Sequence, residues 1–333
     1  MSTLTQNKCM QSLDITTTQS RQAALKGIQI KYWINVDGTD FLYKIDDAYQ
    51  YGFGELFYSY ICNKLAVNCV NVYPAYDKKE ETKGVIVESF VSNKKTNVSL
   101  RDFLQDNLEH RYLDDDWFYS YDDFVAQLAR KQKKEGFILE KGFLDSIKKM
   151  IFIDFLLGNE DRHLNNIEVY VEKNMFGRTR VSLAPLFDNG MSLGLRNCSR
   201  RRRFDVDELS YVSLPRFAFY KTEEKMRYAD PVEEFAYSQA KQLKNDPVLQ
   251  QLYEDIKNIN IRQELEYVSK VSGYNLSENQ MEYITKFLEY RLYLMEHILE
   301  KDFSQPVQEF DGQNGGNKLS DDEYFEYYGV SRD

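Results

Sequence analysis

The sequence predicts an α+β protein with a small β-rich N-terminal lobe and a large, mainly helical C-terminal lobe. Three observations support this fold class. Short β-branched and aromatic runs fill residues 28–90, with one helical pattern among them. From residue 99 onward, apolar residues recur mostly at helical spacing. Between the two regions the composition turns polar, at residues 91–97. We therefore assign residues 1–91 and 92–305 to the two lobes, followed by an acidic tail at 306–333 that we expect to be flexible.

The composition of the chain argues against several classes of protein. Its 333 residues are 42% hydrophobic, which is enough for a large core. A net charge of −10 argues against nucleic acid or an anionic membrane as a partner. Four cysteines without CxxC spacing favour reduced thiols over a disulfide framework or a zinc site. No run has the length of a membrane span and no secretory leader is evident, so we expect a cytoplasmic chain.

The first two strands of the N-terminal lobe form a predicted hairpin. Two β-prone runs, at 28–36 and 39–45, flank Asp37-Gly38, a dipeptide typical of two-residue hairpin turns. Lys44 lies within the second, otherwise apolar run. Two interpretations stay open: an edge position with the amine in water, or a cation aimed at a bound anion. In the second case we expect the ammonium to face the ligand, and water when no ligand is bound.

A helix is predicted at 52–65, where apolar residues recur at helical spacing. Glu55 falls near its start, where it either complements the helix dipole or forms an ion pair with Lys44. Two more strands are predicted, at 67–73 (ended by Pro74) and at 84–90.

The C-terminal lobe is predicted from helical periodicity. Helical segments occupy 99–135, a strongly apolar helix spans 141–155, and residues 230–303 are predicted helical throughout. Arg200–Arg203 form a local cationic run. We interpret it as a solvated face, with docking of a substrate or phosphate as the alternative.

The strongest chemical signal lies between residues 150 and 190. An apolar run ends at Gly158 and leads into the polar loop 159–166; two β-rich runs then precede Asp188-Asn189-Gly190. An Asp, an Asn five residues later, and a second Asp one hairpin further on are the set that phosphoryl transfer to a hydroxyl requires. Asp161 would orient the acceptor hydroxyl, and Asn166 and Asp188 would hold Mg²⁺. The alternative is chance spacing in a solvated loop.

Two further residues of this loop have open roles. The Arg162 guanidinium could hold the loop or bind an anion of an activation segment. His163 is counted with the residues around the nucleotide. We assign it a hydrogen bond within the loop and not a metal ligand, because the sequence supplies no second His or Cys nearby.

These motifs resemble those of HipA-like bacterial serine/threonine protein kinases, over about residues 27–299. The resemblance is strongest in GNEDRHLNN and LAPLFDNG, and weaker in FLYK, GELFYSYICNKL and VIVESF. It implies a protein-kinase-like fold and ATP- and Mg²⁺-dependent transfer to a Ser or Thr hydroxyl of a protein substrate. The residue roles that it implies are Asp161 as the catalytic Asp, Asn166 and Asp188 as Mg²⁺ ligands, Lys44 with Glu55 and the Gln29/Lys31 element at the phosphates, and the backbone of Glu88, Ser89 and Phe90 at the adenine.

Two features depart from the family pattern. No GxGxxG loop is present, and Gly27-Ile-Gln-Ile-Lys31 resembles the family's short phosphate element only loosely. The extra N-terminal subdomain of full-length HipA and a helix-turn-helix are not evident, so we do not expect a toxin role beside a DNA-binding partner.

Two other functions stay open. Phosphoinositide kinases use a similar D-R-H-x-x-N loop with a later Asp-Gly, although the net negative charge and the absence of a basic amphipathic helix argue against a membrane substrate. A nucleotide-binding pseudokinase or scaffold would lack one of the three acidic and amide residues, and all three are present.

Overall fold

The computed structural model describes residues 11–16, 20–22, 30–46, 49–91, 95–104, 119–173, 175, 177–195, 217–218 and 246–300. Gln29, Arg200–Arg203 and the tail at 306–333 lie outside these residues, so the predictions made for them stay predictions.

The N-terminal region is built on a six-stranded sheet with the order β1-β5-β6-β4-β3-β2. At the hairpin between β3 and β4, Asp37 and Gly38 both have positive φ, at 50° and 83°. This is the conformation that a two-residue turn demands and that Asp-Gly supplies at low cost. The strands are β1 (Leu13–Asp14), β2 (Ser20–Gln22), β3 (Lys31–Val36), β4 (Thr39–Ile45), β5 (Val72–Asp77) and β6 (Thr82–Glu88).

The strand predicted at 67–73 is wrong in its position, because β5 begins at Val72 and runs through Pro74. Proline lacks the donor that a central ladder needs. Here β5 has β6 on one side, and on the other side it pairs with β1 only at Ala75 and Tyr76. The missing N–H of Pro74 therefore interrupts no pairing with β1.

The two faces of the sheet carry different residues. Phe41, Tyr43 and Ile86 belong to a small apolar cluster on one face. Leu42, Val85 and Val87 belong to the main core on the other face, which packs against helix α1 (Tyr51–Lys64). Strand alternation places Lys44 on this second face, with Leu42.

The C-terminal region combines helices with a four-stranded sheet of order β7-β10-β11-β9. Strand β7 begins in the segment predicted as a polar linker, and pairs with β10, about seventy residues away along the chain. The helices of the C-terminal region are α2 (Leu100–Leu104), α3 (Tyr121–Glu135), α4 (Phe143–Leu157), α5 (Pro247–Lys257), α6 (Ile261–Ser272) and α7 (Glu278–Glu300). Its strands are β7 (Thr96–Ser99), β8 (Tyr119–Ser120), β9 (Ile138–Leu139), β10 (Glu168–Lys173), β11 (Thr179–Leu183) and β12 (Phe217–Ala218), with β8 and β12 paired separately.

Helix α4 forms the centre of the core and delivers the chain to the polar loop. Its residues from Met150 to Leu157 are all buried. Gly158, with φ 65°, ends the helix in the left-handed conformation that glycine favours at this position. Residues 159–166 follow as a loop that closes in a single 3-10 turn, Leu164–Asn166.

The C-terminal helices support α1 from the side. Tyr60 Oη donates to Glu264 Oε2 at 2.5 Å, and Lys64 Nζ donates to Glu264 Oε1 at 2.6 Å. The rings of Phe53 and Tyr274 meet edge to face at 5.4 Å. Within the described ranges, none of the helices combines the length and the apolar character needed to cross a membrane.

Candidate functional site

Lys44 lies on the central strand β4, between β3 and β6, so the edge-strand interpretation is wrong. Its Nζ lies 2.7 and 2.8 Å from the two carboxylate oxygens of Glu55 and 2.9 Å from Asp188 Oδ1. Lys44 is only 3% exposed and Glu55 only 2%. The expectation that the Lys44 ammonium faces water in the ligand-free protein is therefore wrong, since two carboxylates enclose it. Glu55 also lies beyond the first turn of α1, which excludes the helix-dipole role.

The electrostatics of this group follow from its burial and its charges. Burial alone would lower the pKa of Lys44, but the Asp188 and Glu55 carboxylates outweigh it and raise that pKa above its ordinary value. The charge of Lys44 holds the pKa of Asp188 well below its ordinary range, against the opposing effect of burial, with a smaller contribution from Lys31. Lys44 and Asp188 are therefore both charged near neutral pH.

Lys31 lies directly opposite Lys44 in the β3–β4 pairing, so both side chains stand on the same face of the sheet. Two like charges in this arrangement repel each other. The Asp188 carboxylate lies close enough to both ammonium groups to interact with their charges. A bound anion on this face would relieve the repulsion further.

Asp161 and Asn166 are joined within the polar loop. Asn166 Nδ2 donates to the main-chain carbonyl of Asp161 at 2.8 Å and to its Oδ2 at 3.3 Å. The Asp161 N–H donates to Asn159 Oδ1 at 3.1 Å, and the Asp161 side chain is 29% exposed. The main chain of Asp161 is thus fixed by Asn159 and Asn166, and its carboxylate is partly exposed to solvent.

His163 has a place within the loop. Its Nδ1 accepts the Asn165 N–H at 3.2 Å at the start of the 3-10 turn, and its Nε2 lies 3.8 Å from Asp161 Oδ1. The contact with the Asn165 N–H matches the hydrogen-bonding role predicted from the sequence. Its assignment to the surroundings of a nucleotide stays a prediction.

Asn166 and Asp188 have the donor atoms that Mg²⁺ prefers. Since the Asn166 amide nitrogen bonds to Asp161, its oxygen points the other way, and no described residue donates to it. Among the described residues, Asp188 Oδ2 likewise has no hydrogen-bond donor, and the side chain is 34% exposed. No group of three or more His, Cys, Asp or Glu in the described part of the chain is arranged to hold a metal. Two protein ligands, completed by phosphate and water, is the arrangement usual for Mg²⁺ at nucleotide phosphates.

The segment that carries Asp188 packs against α1. Asp188 itself has φ 54°, a left-handed conformation that Asp tolerates better than most residues. A Cβ added at Gly54 of α1 would lie 2.6 Å from the Gly190 carbonyl oxygen. Glycine at position 54 therefore allows the Asp188 segment to approach the helix.

The predicted adenine-binding segment keeps one donor and one acceptor free. The Glu88 and Ser89 N–H groups donate to the carbonyls of Asn71 and Asp40. Tyr170 Oη donates to the Phe90 carbonyl at 2.7 Å. Among the described residues, the Phe90 N–H and the Ser89 carbonyl have no hydrogen-bond partner. The Phe90 ring lies 5.1 Å from that of Phe187, next to Asp188.

Arg162 connects the two loops and is completely buried. Its Nε and Nη2 donate to the Asp154 carboxylate at 2.9 and 3.3 Å, and Nη2 also donates to Asn189 Oδ1. Its Nη1 donates to the carbonyls of Asn166 and Phe187, both at 2.9 Å. One guanidinium thus bonds to both residues that flank Asp188 and to Asn166 at the end of the Asp161 loop.

Sequence reasoning missed the partners of Arg162. Asp154 is the one charged residue in the apolar run from Met150 to Leu157. Such an isolated carboxylate predicts a buried ion pair, which would have pointed to the nearest Arg. Tyr58, whose Oη donates to Asp154 at 2.8 Å, and Asn189 carry no comparable signal.

A solved kinase shares this fold. The proinflammatory kinase CtkA of Helicobacter pylori matches with a TM-score of 0.62 at 17% identity, over 87% of this chain and 100% of CtkA. HipA of Shewanella oneidensis MR-1, solved with HipB and operator DNA, matches with a TM-score of 0.48 at 14% identity, over 83% of this chain and 65% of that chain. No protein-family model and no curated protein matches the sequence. The likeness to CtkA confirms the α+β, two-lobed kinase fold. The lobe boundaries, and the roles of individual residues, stay predictions.

Proposed function

We propose that this chain is an ATP- and Mg²⁺-dependent protein kinase that transfers the γ-phosphoryl group to a Ser or Thr hydroxyl. The observation that carries the proposal is the Lys44–Glu55–Asp188 cluster. It joins strand β4, helix α1 and the segment after β11, and it leaves one carboxylate oxygen of Asp188 available. A Lys held by a Glu beside a metal-binding Asp is what positioning a nucleotide for phosphoryl transfer requires.

Each proposed residue has a distinct task in the reaction. Lys44, and Lys31 opposite it, would neutralise phosphate oxygens, and Asn166 and Asp188 would supply the protein ligands of Mg²⁺. Mg²⁺, when bound, neutralises charge on the nucleotide phosphates. Asp161 would orient the acceptor hydroxyl and take its proton as the acceptor oxygen bonds to the γ-phosphorus and ADP departs. The free groups of Ser89 and Phe90 would bind the adenine edge.

A labelled-ATP experiment tests the proposal. Purified protein is incubated with γ-labelled ATP, with and without Mg²⁺, with general protein substrates or with phosphatidylinositol vesicles. We expect Mg²⁺-dependent label on Ser or Thr of a protein, and labelling slower by orders of magnitude with Asp161→Asn. Label on lipid alone would favour the phosphoinositide kinase alternative. Nucleotide binding without transfer to either acceptor would favour the pseudokinase, and equal labelling by Asp161→Asn would refute the assigned catalytic residue.

A further inference from the structure

The hydrogen bonds of Arg162 use every donor that the side chain has. A guanidinium carries five N–H groups, and the five acceptors are the two Asp154 oxygens, the carbonyls of Asn166 and Phe187, and Asn189 Oδ1. No donor remains for an external anion. Binding of an activation-segment anion, one of the two roles that the sequence left open for Arg162, is therefore incompatible with this arrangement.

The counter-charge of Arg162 is equally committed. Asp154 also accepts Tyr58 Oη at 2.8 Å and Asn159 Nδ2 at 3.0 Å. Burial alone would lower the pKa of Arg162, but the Asp154 charge outweighs it and raises that pKa. Breaking this pair would leave an uncompensated buried charge, which costs far more than an exposed pair. The pair is consequently a rigid point of the fold, and through Tyr58 it is attached to α1.

We propose that Arg162 is a positioning residue for phosphoryl transfer: it sets the placement of the Asp161–Asn166 loop relative to the Asp188 segment. The inference rests on the proposed function. The two carbonyls that share Nη1 belong to Asn166 and to the residue before Asp188. Arg162 thus bonds directly to Asn166, one proposed metal ligand, and to Phe187, the residue before Asp188, the other proposed ligand. A point cation such as Lys cannot bond to five acceptors in a plane, so it would keep the charge and lose the geometry.

The test compares Arg162→Lys with Arg291→Lys. Arg291 is also buried, and it donates to the Phe155 carbonyl of α4 and packs on the Phe155 and Phe287 rings. Both variants remove a buried guanidinium and keep a positive charge. Three quantities are measured: hydrogen exchange of the nucleotide-free protein, the Mg²⁺ concentration for half-maximal nucleotide binding, and kcat per folded molecule.

For Arg162→Lys we expect faster hydrogen exchange at residues 159–166 and 186–192, a several-fold higher Mg²⁺ requirement, and a kcat lower by about 10²-fold, as for a small misplacement of reacting groups. For Arg291→Lys we expect lower thermal stability with all three quantities near wild type. Equal exchange and equal kcat per folded molecule in Arg162→Lys and wild type would overturn the proposal.

A second variant covers the case in which Arg162→Lys does not fold. Asn189→Ala removes one of the five acceptors and leaves the Asp154 pair intact, so we expect a folded protein with the same changes at smaller size. Unchanged exchange and Mg²⁺ requirement in Asn189→Ala would then overturn the proposal. If the wild-type protein itself neither binds nucleotide nor transfers phosphate, the proposed function fails. The hydrogen-exchange comparison still decides whether Arg162 holds the two loops.

Discussion

Lys44 and Arg162 are both buried cations that bond to an aspartate and reach helix α1, Lys44 through Glu55 and Arg162 through Asp154 and Tyr58. Their surroundings differ in charge balance and in access. Lys44 has two carboxylates for one ammonium, and one of them is half-buried at the edge of solvent. Arg162 has a single, fully buried carboxylate and no remaining donor.

This difference distinguishes the Lys44 centre, which can bind a ligand, from the Arg162 centre, which supports the surrounding loops. The Asp188 side chain is partly exposed, and its Oδ2 has no hydrogen-bond donor among the described residues, so it can serve as a ligand for a divalent cation. The Arg162–Asp154 pair has no net charge, is fully buried and has no free donor, so it offers no group that a ligand could bind. Changes to the first centre should therefore affect chemistry more than stability, and changes to the second should affect loop geometry.

The largest effect is expected from Asp188→Ala, which removes the exposed acid of the Lys44 centre. Turnover should fall by at least about 10³-fold, because phosphate charge is no longer neutralised by a held metal ion. Lys44 keeps Glu55, so the fold should persist. Titration of nucleotide binding with Mg²⁺, beside circular dichroism, checks both statements. Wild-type affinity for the ATP–Mg²⁺ complex in this variant would refute the assignment of Asp188.

Asp161→Asn should separate binding from transfer. Its carboxylate is proposed to orient the acceptor hydroxyl and not to hold the phosphates or the metal ion, so nucleotide affinity should stay within a few-fold of wild type. Transfer should fall by about 10²- to 10⁴-fold, as when a positioned base is lost. Single-turnover rates and equilibrium binding measure the two quantities independently. If affinity fell in step with transfer, the roles of Asp161 and Asp188 would have to be exchanged.

The contrast between the two centres also explains what the sequence could predict. Lys44, Glu55, Asp161, Asn166 and Asp188 stand at recognisable places in local elements, and their spacing carries chemical meaning without knowledge of the fold. The burial of Lys44 did not follow, because it depends on β6 and on Asp188, which lies 144 residues away. The Arg162–Asp154 pair has a local signal in the isolated carboxylate, but the bonds of Arg162 to Phe187 and Asn189 depend on long-range packing that no local pattern encodes.

The same reason accounts for the errors in the fold. Strand β7 lies in a polar stretch whose strand character comes from its pairing with β10, a long-range contact. A proline such as Pro74 usually predicts the end of a strand. Here it is tolerated within β5, because β5 has little pairing on one side. The hairpin at Asp37-Gly38 and the helices α1 and α4 are predicted correctly within about two residues at each end, since turn chemistry and periodicity are local.

The Lys44–Glu55 pair gives an intermediate effect and a test of coupling. Lys44→Met should lower turnover by about 10²-fold. It should also lower stability by about 1–3 kcal/mol, because Glu55 is left buried without a partner. Glu55→Gln should have the smaller effect on turnover, since Lys44 keeps Asp188.

The double variant Lys44→Met/Glu55→Gln separates the two readouts. Its turnover should equal that of Lys44→Met, because the two residues act as a unit. Its free energy of unfolding should recover part of the loss, because the unpaired charge is gone. Chemical denaturation and steady-state kinetics on the four proteins complete the cycle. Additive losses in turnover would mean that Glu55 does not act through Lys44.

The smallest effect concerns the contact that carries neither cation, between Gly54 of α1 and the Gly190 carbonyl. Alanine at a helix interior usually stabilises by about 1 kcal/mol relative to glycine. Here the added Cβ would lie 2.6 Å from a backbone oxygen, so either α1 or the Asp188 segment must move. Because Glu264 and Tyr274 also hold α1 in place, we expect the Asp188 segment to yield. Gly54→Ala should then reduce turnover by about tenfold, a fraction of the 10²-fold that a misplacement of about 1 Å costs. Gly54→Val should reduce it further, while Asp161 in its own loop stays in place. Steady-state kinetics and thermal denaturation of the graded pair measure this. If Gly54→Ala were more stable than wild type and fully active, the Asp188 segment would have room at α1. Its close packing there would then have no part in positioning Asp188 in the Lys44–Glu55–Asp188 cluster.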